Sequence, residues 1–375
     1  MKMKTIDGSM GEGGGQILRT SLSLSGMMCE PVCIENIRAN RGKPGLKRQH
    51  LTAVRAMAEI CNARLEGAEL NASELTFEPS EIRGGNYHFA IGSAGSVVLV
   101  AQTIIPVLLM AKEHSTVVIE GGTHVQGAPI FEFFDEVFLP QLRRMGCEVT
   151  ATLERYGFFP AGGGAIRLEI EPIKESKRYS MLESGKLESA EIVVLYSGLD
   201  RKIAEAEADI IAHQVQDINP VVTIREVDTI CSGNAVYLKL KFEHITEMFS
   251  SIGAINRSRR EVAQKVVKLY KNYKEVGQPI GAFLADQLLL PMYHFSSYGS
   301  FCSCPWSLHS KTNLKTLQSF RNHREHVTRP VQNGIEFAVN DECNVFFRPC
   351  QPQETQDDSP DIENETPTEN TNEMD

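Results

Sequence analysis

The chain lacks an apolar run long enough to span a bilayer. Its longest, Val97 to Ala111, is broken by Gln102 and Pro106 and falls short of the roughly 20 residues that cross a membrane as a helix. It reads as a buried helix. The first residues, Met1 to Gly8, have neither the apolar stretch nor the small-residue cleavage site of a secretory signal, so the protein is expected to stay inside the cell. Its nine cysteines are odd in number and include no CxxC pair, which argues against a disulfide framework or a zinc site and for reduced thiols. Cys302 and Cys304 stand close before His309, where a metal or redox role is open beside that of plain buried thiols. The chain also has no GxxxxGK[ST] loop and no dinucleotide fingerprint, which excludes the common nucleotide-binding signatures.

Positive charge is missing from one end. Residues 351–375 hold nine acidic side chains and no Lys or Arg, so the net charge of -10 leaves 39 acidic against 38 basic residues in the body. The body is therefore nearly neutral, and nucleic acid is not excluded as a partner. Rich in Pro, Asn, Thr, Glu and Asp, the tail cannot bury enough apolar surface to offset ordering and is expected to be disordered.

Short β-rich stretches alternate with helical ones through the body, the pattern of a layered α/β fold. Gly13-Gly14-Gly15, Gly84-Gly85, Gly121-Gly122 and Gly162-Gly163-Gly164 punctuate it, as a recurring βα unit with tight turns would. Lys47 to Cys61 has apolar residues on one face and a mostly basic opposite face. Phe131 to Met145 reads as a helix bent by Pro140, Ser258 as the N-cap of Arg259 to Tyr273, and Ile280, Leu284 and Leu288 as another helix. Glu183 to Tyr273, in strand-helix-strand-strand-helix order, reads as a small inserted domain. This divides the chain into 1–182 with 275–350 (large domain), 183–274 (insert) and 351–375 (tail).

Two segments bear on chemistry. Asp7 to Gln16 puts a glycine-rich turn before a helix, either a structural turn or a loop presenting backbone N–H groups to phosphate. Glu12 lies among those glycines; it could hold a divalent cation beside phosphates or complement the helix dipole. Arg38, Arg41, Lys43, Lys47, Arg48 and Arg55 fall between Asn36 and Ala58 with no acidic residue among them, a phosphate-binding patch or a solvated helix face. Among ten histidines, His309 stands out, set in PWSLHSKTN (305–313) with hydroxyl and amide groups that could orient its ring.

With these segments on view, the chain resembles RNA 3'-terminal phosphate cyclases from about Lys4 to Phe347. The resemblance is carried, in order, by DGSMGEGGGQILR (7–19), RANRGKPGLKRQHL (38–51), IGSAGSVVLVAQT (91–103), GGTHVQGAP (121–129), GFFPAGGG (157–164), LADQLLLPM (284–292) and LHSKTN (308–313). It implies a large domain of repeated βαβαββ units with an inserted smaller thioredoxin-like α/β domain. It further implies ATP-dependent conversion of an RNA 3'-phosphate end into a 2',3'-cyclic phosphate, with a divalent metal (Mg or Mn). His309 would be the catalytic residue, carrying AMP covalently, and Glu12 the metal ligand. Arg19, Arg38, Arg41 and Gln49 would contact triphosphate or RNA phosphate, and Gln102, Pro129, Phe283, Asp286 and Gln287 the nucleotide. Phe283 departs from the tyrosine of many relatives; its ring can stack on adenine but not donate a hydroxyl hydrogen bond. Eukaryotic relatives imply a nuclear (nucleoplasmic) location, with cytoplasm as the alternative. The alternative function is that of a cyclase-like ribosome-biogenesis factor without cyclase activity, against which His309 and its LHSKTN setting speak. A second rival, an enolpyruvyl-type transferase, would leave the ATP-pocket segments unexplained.

Overall fold

The computed structural model describes residues 3–320 and 326–339; the acidic tail expected at 351–375 lies outside them. The chain begins with β1 (Lys4–Asp7), α1 (Gly15–Met28), β2 (Val32–Glu35), α2 (Arg48–Ile60), β3 (Arg64–Glu66) and β4 (Leu75–Glu78). The sheet order is β1-β2-β4-β3, with β1 and β2 parallel and the other pairs antiparallel. Two parallel strands need a crossover, which α1 supplies, whereas β3 and β4 can pair directly as antiparallel neighbours.

The same plan recurs in β5 (Asn86–Ala90), α3 (Val97–Leu108), β6 (Ser115–Gly121), α4 (Phe131–Phe133), α5 (Leu139–Arg144), β7 (Val149–Arg155) and β8 (Gly164–Ile170), with sheet order β5-β6-β8-β7. Between α4 and α5 the helix widens into a π turn, Phe134–Phe138. The bend expected at Pro140 is thus taken up by this turn: Pro140 sits at the start of α5, where its missing N–H and ring would otherwise disrupt the preceding helical turn. β6 buries every second side chain, as a strand covered on one face must.

A third unit opens with β9 (Tyr179–Met181) and is interrupted at once by β10 (Leu187–Ser197), α6 (Arg201–Ala212), β11 (Val221–Glu226), β12 (Gly233–Phe242), β13 (Thr246–Ile252) and α7 (Arg259–Val276). This segment has one strand more than the expected order. It forms its own sheet, β11-β10-β12-β13. The third unit then resumes with α8 (Ala282–Phe295), β14 (Gly299–Ser303), α9 (Leu308–Phe320), β15 (His326–Val331) and β16 (Gly334–Val339), in sheet order β9-β14-β16-β15. Three βαβαββ units of one topology therefore make up the described body, as the resemblance implied.

Strand alternation ties the interrupting segment to that body. Ile192 and Val194 of β10 face a core shared with α6 and α7, while Val193 and Leu195 join the main core under the repeated units. Ser258 caps α7 through a capping box with Glu261, as expected. Ile280, expected inside a helix, instead precedes α8 and bridges to Ser303. Cys302 and Cys304 are free thiols. No helix among the described residues is long and apolar enough to cross a membrane.

Candidate active site

The starts of α1 and α9 meet. The loop before α1 turns through Gly11 and Gly13, both at φ +57°, and a Cβ on Gly13 would lie 2.3 Å from Asn40 Nδ2. Only glycine satisfies that backbone and that neighbour together. α1 starts behind Gly14 without a side-chain cap, so its first N–H groups face outward at the positive end of the helix dipole. α9 starts behind Ser307, whose Oγ accepts the Ser310 N–H at 3.2 Å. His309 is the second residue of α9 and Gln16 the second of α1, and their side chains touch.

A hydrogen-bond chain fixes the imidazole. Gln16 Nε2 donates to Asp286 Oδ1 at 2.6 Å, which turns Gln16 Oε1 toward His309 Nδ1 at 3.0 Å. Nδ1 therefore carries the ring proton, and Nε2 keeps its lone pair. Asp286 is held from behind by Asn313 Nδ2, which donates to its backbone oxygen at 3.0 Å, and Thr20 Oγ1 holds Asn313 Oδ1 at 2.9 Å. Burial lowers the His309 pKa; Asp286 opposes this, and Arg41 and Arg19 add to it. Burial raises the Asp286 carboxyl and lowers Arg19 to about 10, leaving the guanidinium charged at neutral pH. The result is a neutral, oriented imidazole beside fixed positive charge, the form a nitrogen nucleophile needs.

Glu12 lies 3.5 Å from His309 Nε2 through Oε1, the same oxygen that pairs with Arg41. Its backbone N–H donates to Thr312 Oγ1 at 3.1 Å, and its Oε2 is buried without a hydrogen-bond partner among the described residues. That orphaned oxygen suits a divalent cation. No cluster of three or more His, Cys, Asp or Glu among the described residues could hold one by itself, so phosphate oxygens and water would complete the shell, as is usual for magnesium.

Beside this centre opens a cavity of about 390 Å³, within the range of nucleotide-sized sites. Gln102, Pro129, Phe283, Asp286 and Gln287 all line it, together with Arg19 and His309. Gln102 Nε2 donates to Gln287 Oε1, and Gln287 Nε2 to the Phe283 backbone carbonyl at 3.0 Å, so these three residues form one wall. Phe283 is 57% exposed, its ring free for a stacking partner.

Two expected phosphate contacts point elsewhere. Arg38 folds onto its own loop, donating to the Lys43 and Gly45 carbonyls at 2.8 Å each. Gln49 accepts the Ser96 N–H at 2.7 Å, fastening α2 to the start of α3. Sequence reasoning also missed six contributors. Gln16 lay in a quoted segment without a role. His50 packs against Gly15, where a Cβ would lie 2.3 Å from its Nε2, and burial, with Arg19, Arg38 and Lys47, lowers its pKa to about 3. Met248, Ser250, Lys265 and Leu269, from the interrupting segment, line the cavity; no local motif announces them, because a distant part of the chain brings them there.

The sequence profile of the family described as RNA 3'-terminal phosphate cyclase matches residues 10–327. A protein from Koribacter versatilis (strain Ellin345) named RNA 3'-terminal phosphate cyclase is 42% identical over 322 residues, covering 85% of this chain and 90% of its own. Among solved structures, the enolpyruvyl transferase NikO from Streptomyces tendae aligns with a TM-score of 0.26 at 14% identity, over 46% of this chain and 33% of that one.

Proposed function

Because the chain belongs to the RNA 3'-terminal phosphate cyclase family, we propose that His309 is its nucleophile, accepting AMP from ATP and passing it to an RNA 3'-phosphate. The observation that carries this reading is the Gln16 bridge, whose carbonyl oxygen accepts from Nδ1–H and leaves Nε2 with its lone pair. The chemical need is a leaving group: a terminal phosphate monoester offers the neighbouring 2'-OH only oxide to expel. In the first step His309 Nε2 attacks the α-phosphorus of ATP, and the bond to the β-phosphate oxygen breaks to release diphosphate. An oxygen of the RNA 3'-phosphate next attacks that phosphorus, freeing His309 and leaving the RNA end joined to AMP. The 2'-OH then attacks the RNA phosphorus, its proton passes to solvent, and AMP departs as the cyclic phosphate closes.

Arg19 and Arg41 place positive charge where negative charge develops on the transferred phosphoryl group. The open N–H groups at the start of α1 act in the same sense. Asp286 orients Gln16 and, with Gln102, Gln287 and Phe283, forms the nucleotide wall. A divalent cation, when bound at Glu12 Oε2, would neutralise charge on the ATP phosphates.

The test is incubation with α-labelled ATP and metal, with and without His309→Ala, followed by RNA bearing a 3'-phosphate. Label should enter the wild-type protein and leave it when RNA is added. Label retained by the alanine variant removes His309 from the mechanism. A wild-type protein that takes up no label and makes no cyclic end is instead a binding factor.

A further inference from the structure

We propose that the turn Phe158–Gly162 and the basic start of α2 form a track for the single-stranded RNA leading to the reacting 3'-phosphate, with Phe159 as a stacking platform for an upstream base. The inference rests on the cyclase reading above and assigns a second site for the same substrate.

The platform is built to display an aromatic ring. Phe159 is 68% exposed, whereas Phe158 beside it is 1% exposed. The turn closes on itself through Gly162 N–H to the Phe158 carbonyl at 2.7 Å, and its base is held by Gly157 N–H to Thr123 Oγ1 at 2.9 Å. The ring is presented on a fastened backbone, so little order remains to be imposed when a base stacks on it. Ile230, 74% exposed, lies across neighbouring Gly163, where a Cβ would meet its Cδ1 at 2.1 Å. This widens the apolar surface.

Contacts run without a gap from this turn to His309. A Cβ on Gly162 would lie 2.8 Å from the Ser93 carbonyl oxygen, so the turn rests on the loop ahead of α3. From the other side, Arg48 Nη1 donates to the Gly92 carbonyl at 2.7 Å and Gln49 accepts the Ser96 N–H at 2.7 Å. Next along α2, His50 packs on Gly15, the neighbour of Gln16, which holds His309.

Charge along this line favours a phosphodiester chain. Lys43, Arg48 and Arg55 are exposed, and neither they nor Lys47 join any ion pair among the described residues. Uncompensated cations in a row repel one another, and a polyanion relieves that repulsion while releasing its counterions. Aromatic stacking beside a basic groove is the general device for holding single strands irrespective of sequence, because every base has a π face.

The test uses the full-length protein with Phe159→Ala and Arg48→Ala. Three quantities are read: cyclisation of a long single-stranded RNA 3'-phosphate, cyclisation of a dinucleotide 3'-phosphate, and labelling by α-labelled ATP without RNA. Phe159→Ala should raise KM for the long RNA about tenfold while leaving the dinucleotide and the labelling at wild-type values, which also certifies folding. Arg48→Ala should flatten the salt dependence of the long-RNA KM. A long-RNA KM unchanged in Phe159→Ala, or raised equally for the dinucleotide, overturns the track. Failure of wild-type labelling would sink the reaction scheme instead. In that case, anisotropy of a fluorescent 3'-hydroxyl RNA still decides the track, since the alanine variants must bind it more weakly.

Discussion

Replacing Gln16 with alanine would cut the side chain that, among the described residues, joins His309 to Asp286 by hydrogen bonds. Two bonds vanish together. The bond to the Asp286 carboxylate is charge-assisted, and leaving a buried carboxylate one donor short costs about 1.5–3 kcal/mol of stability. The bond to His309 fixes the tautomer; without it the ring proton is shared between both nitrogens and the ring can turn. Loss of one orienting bond of about 1.4–2.8 kcal/mol in the transition state slows transfer of AMP to the protein roughly 10- to 100-fold. Gln16→Glu is a sharper variant, because a second carboxylate beside Asp286 favours the protonated imidazole. Wild-type labelling should rise with pH through a midpoint below the ordinary histidine value of 6.5, since the His309 pKa is lowered, and in Gln16→Glu that midpoint should move upward. The assay is single-turnover labelling with α-labelled ATP across a pH series. Gln16→Ala labelling at the wild-type rate, or an unmoved midpoint in Gln16→Glu, would refute the role of the bridge.

Other perturbations follow from the same geometry. His50 titrates near 3 when folded and near 6.5 when unfolded. The unfolded chain therefore takes up the proton first, and stability falls as pH drops through that window by up to ~1.4 kcal/mol per unit; His50→Gln should flatten this slope in denaturant titrations. Burial pushes Glu247 up to about 8, where its Oε1 accepts the Gly281 N–H at 2.7 Å ahead of α8. The folded state keeps a proton that the unfolded state loses, so stability falls as pH rises from about 4.5 to 8. Glu247→Gln retains the acceptor and should be more stable than wild type at the alkaline end, and coincident thermal curves there would count against it. Gly13→Ala should cost about 1–2 kcal/mol from positive φ alone, measured by chemical denaturation, with a further penalty from Asn40.

The repeated units were legible where their glycine turns and apolar helices were: α2, α3 and α7 lie close to where periodicity places them. What periodicity could not reveal was pairing. That β1-β2-β4-β3 recurs as β5-β6-β8-β7 and β9-β14-β16-β15 depends on contacts between residues far apart in the chain. The same limit applied at the site. His309, Glu12 and the LADQ residues could be named from local motifs and do converge, except that Arg38 and Gln49 spend their polar groups on neighbouring loops. Gln16 escaped notice because a glutamine in a helix is unremarked until its two partners, 270 and 293 residues away, are known. Lys265 and Ser250 escaped because the segment that carries them is continuous in space with a cavity it does not adjoin in sequence.

The π turn at Phe134–Phe138 sets the phase of an entire wall. Its wider hydrogen-bonding step brings residues five apart onto one side, and Phe133, Phe138 and Leu142 all face the cavity. An ordinary α-helix over the same span would advance about 100° per residue and carry Phe133 and Phe138 to different sides. Deleting a single residue from the turn would therefore leave the composition of the helix almost untouched while rotating one end against the other. The wall would lose an aromatic ring that no substitution within the cavity could restore.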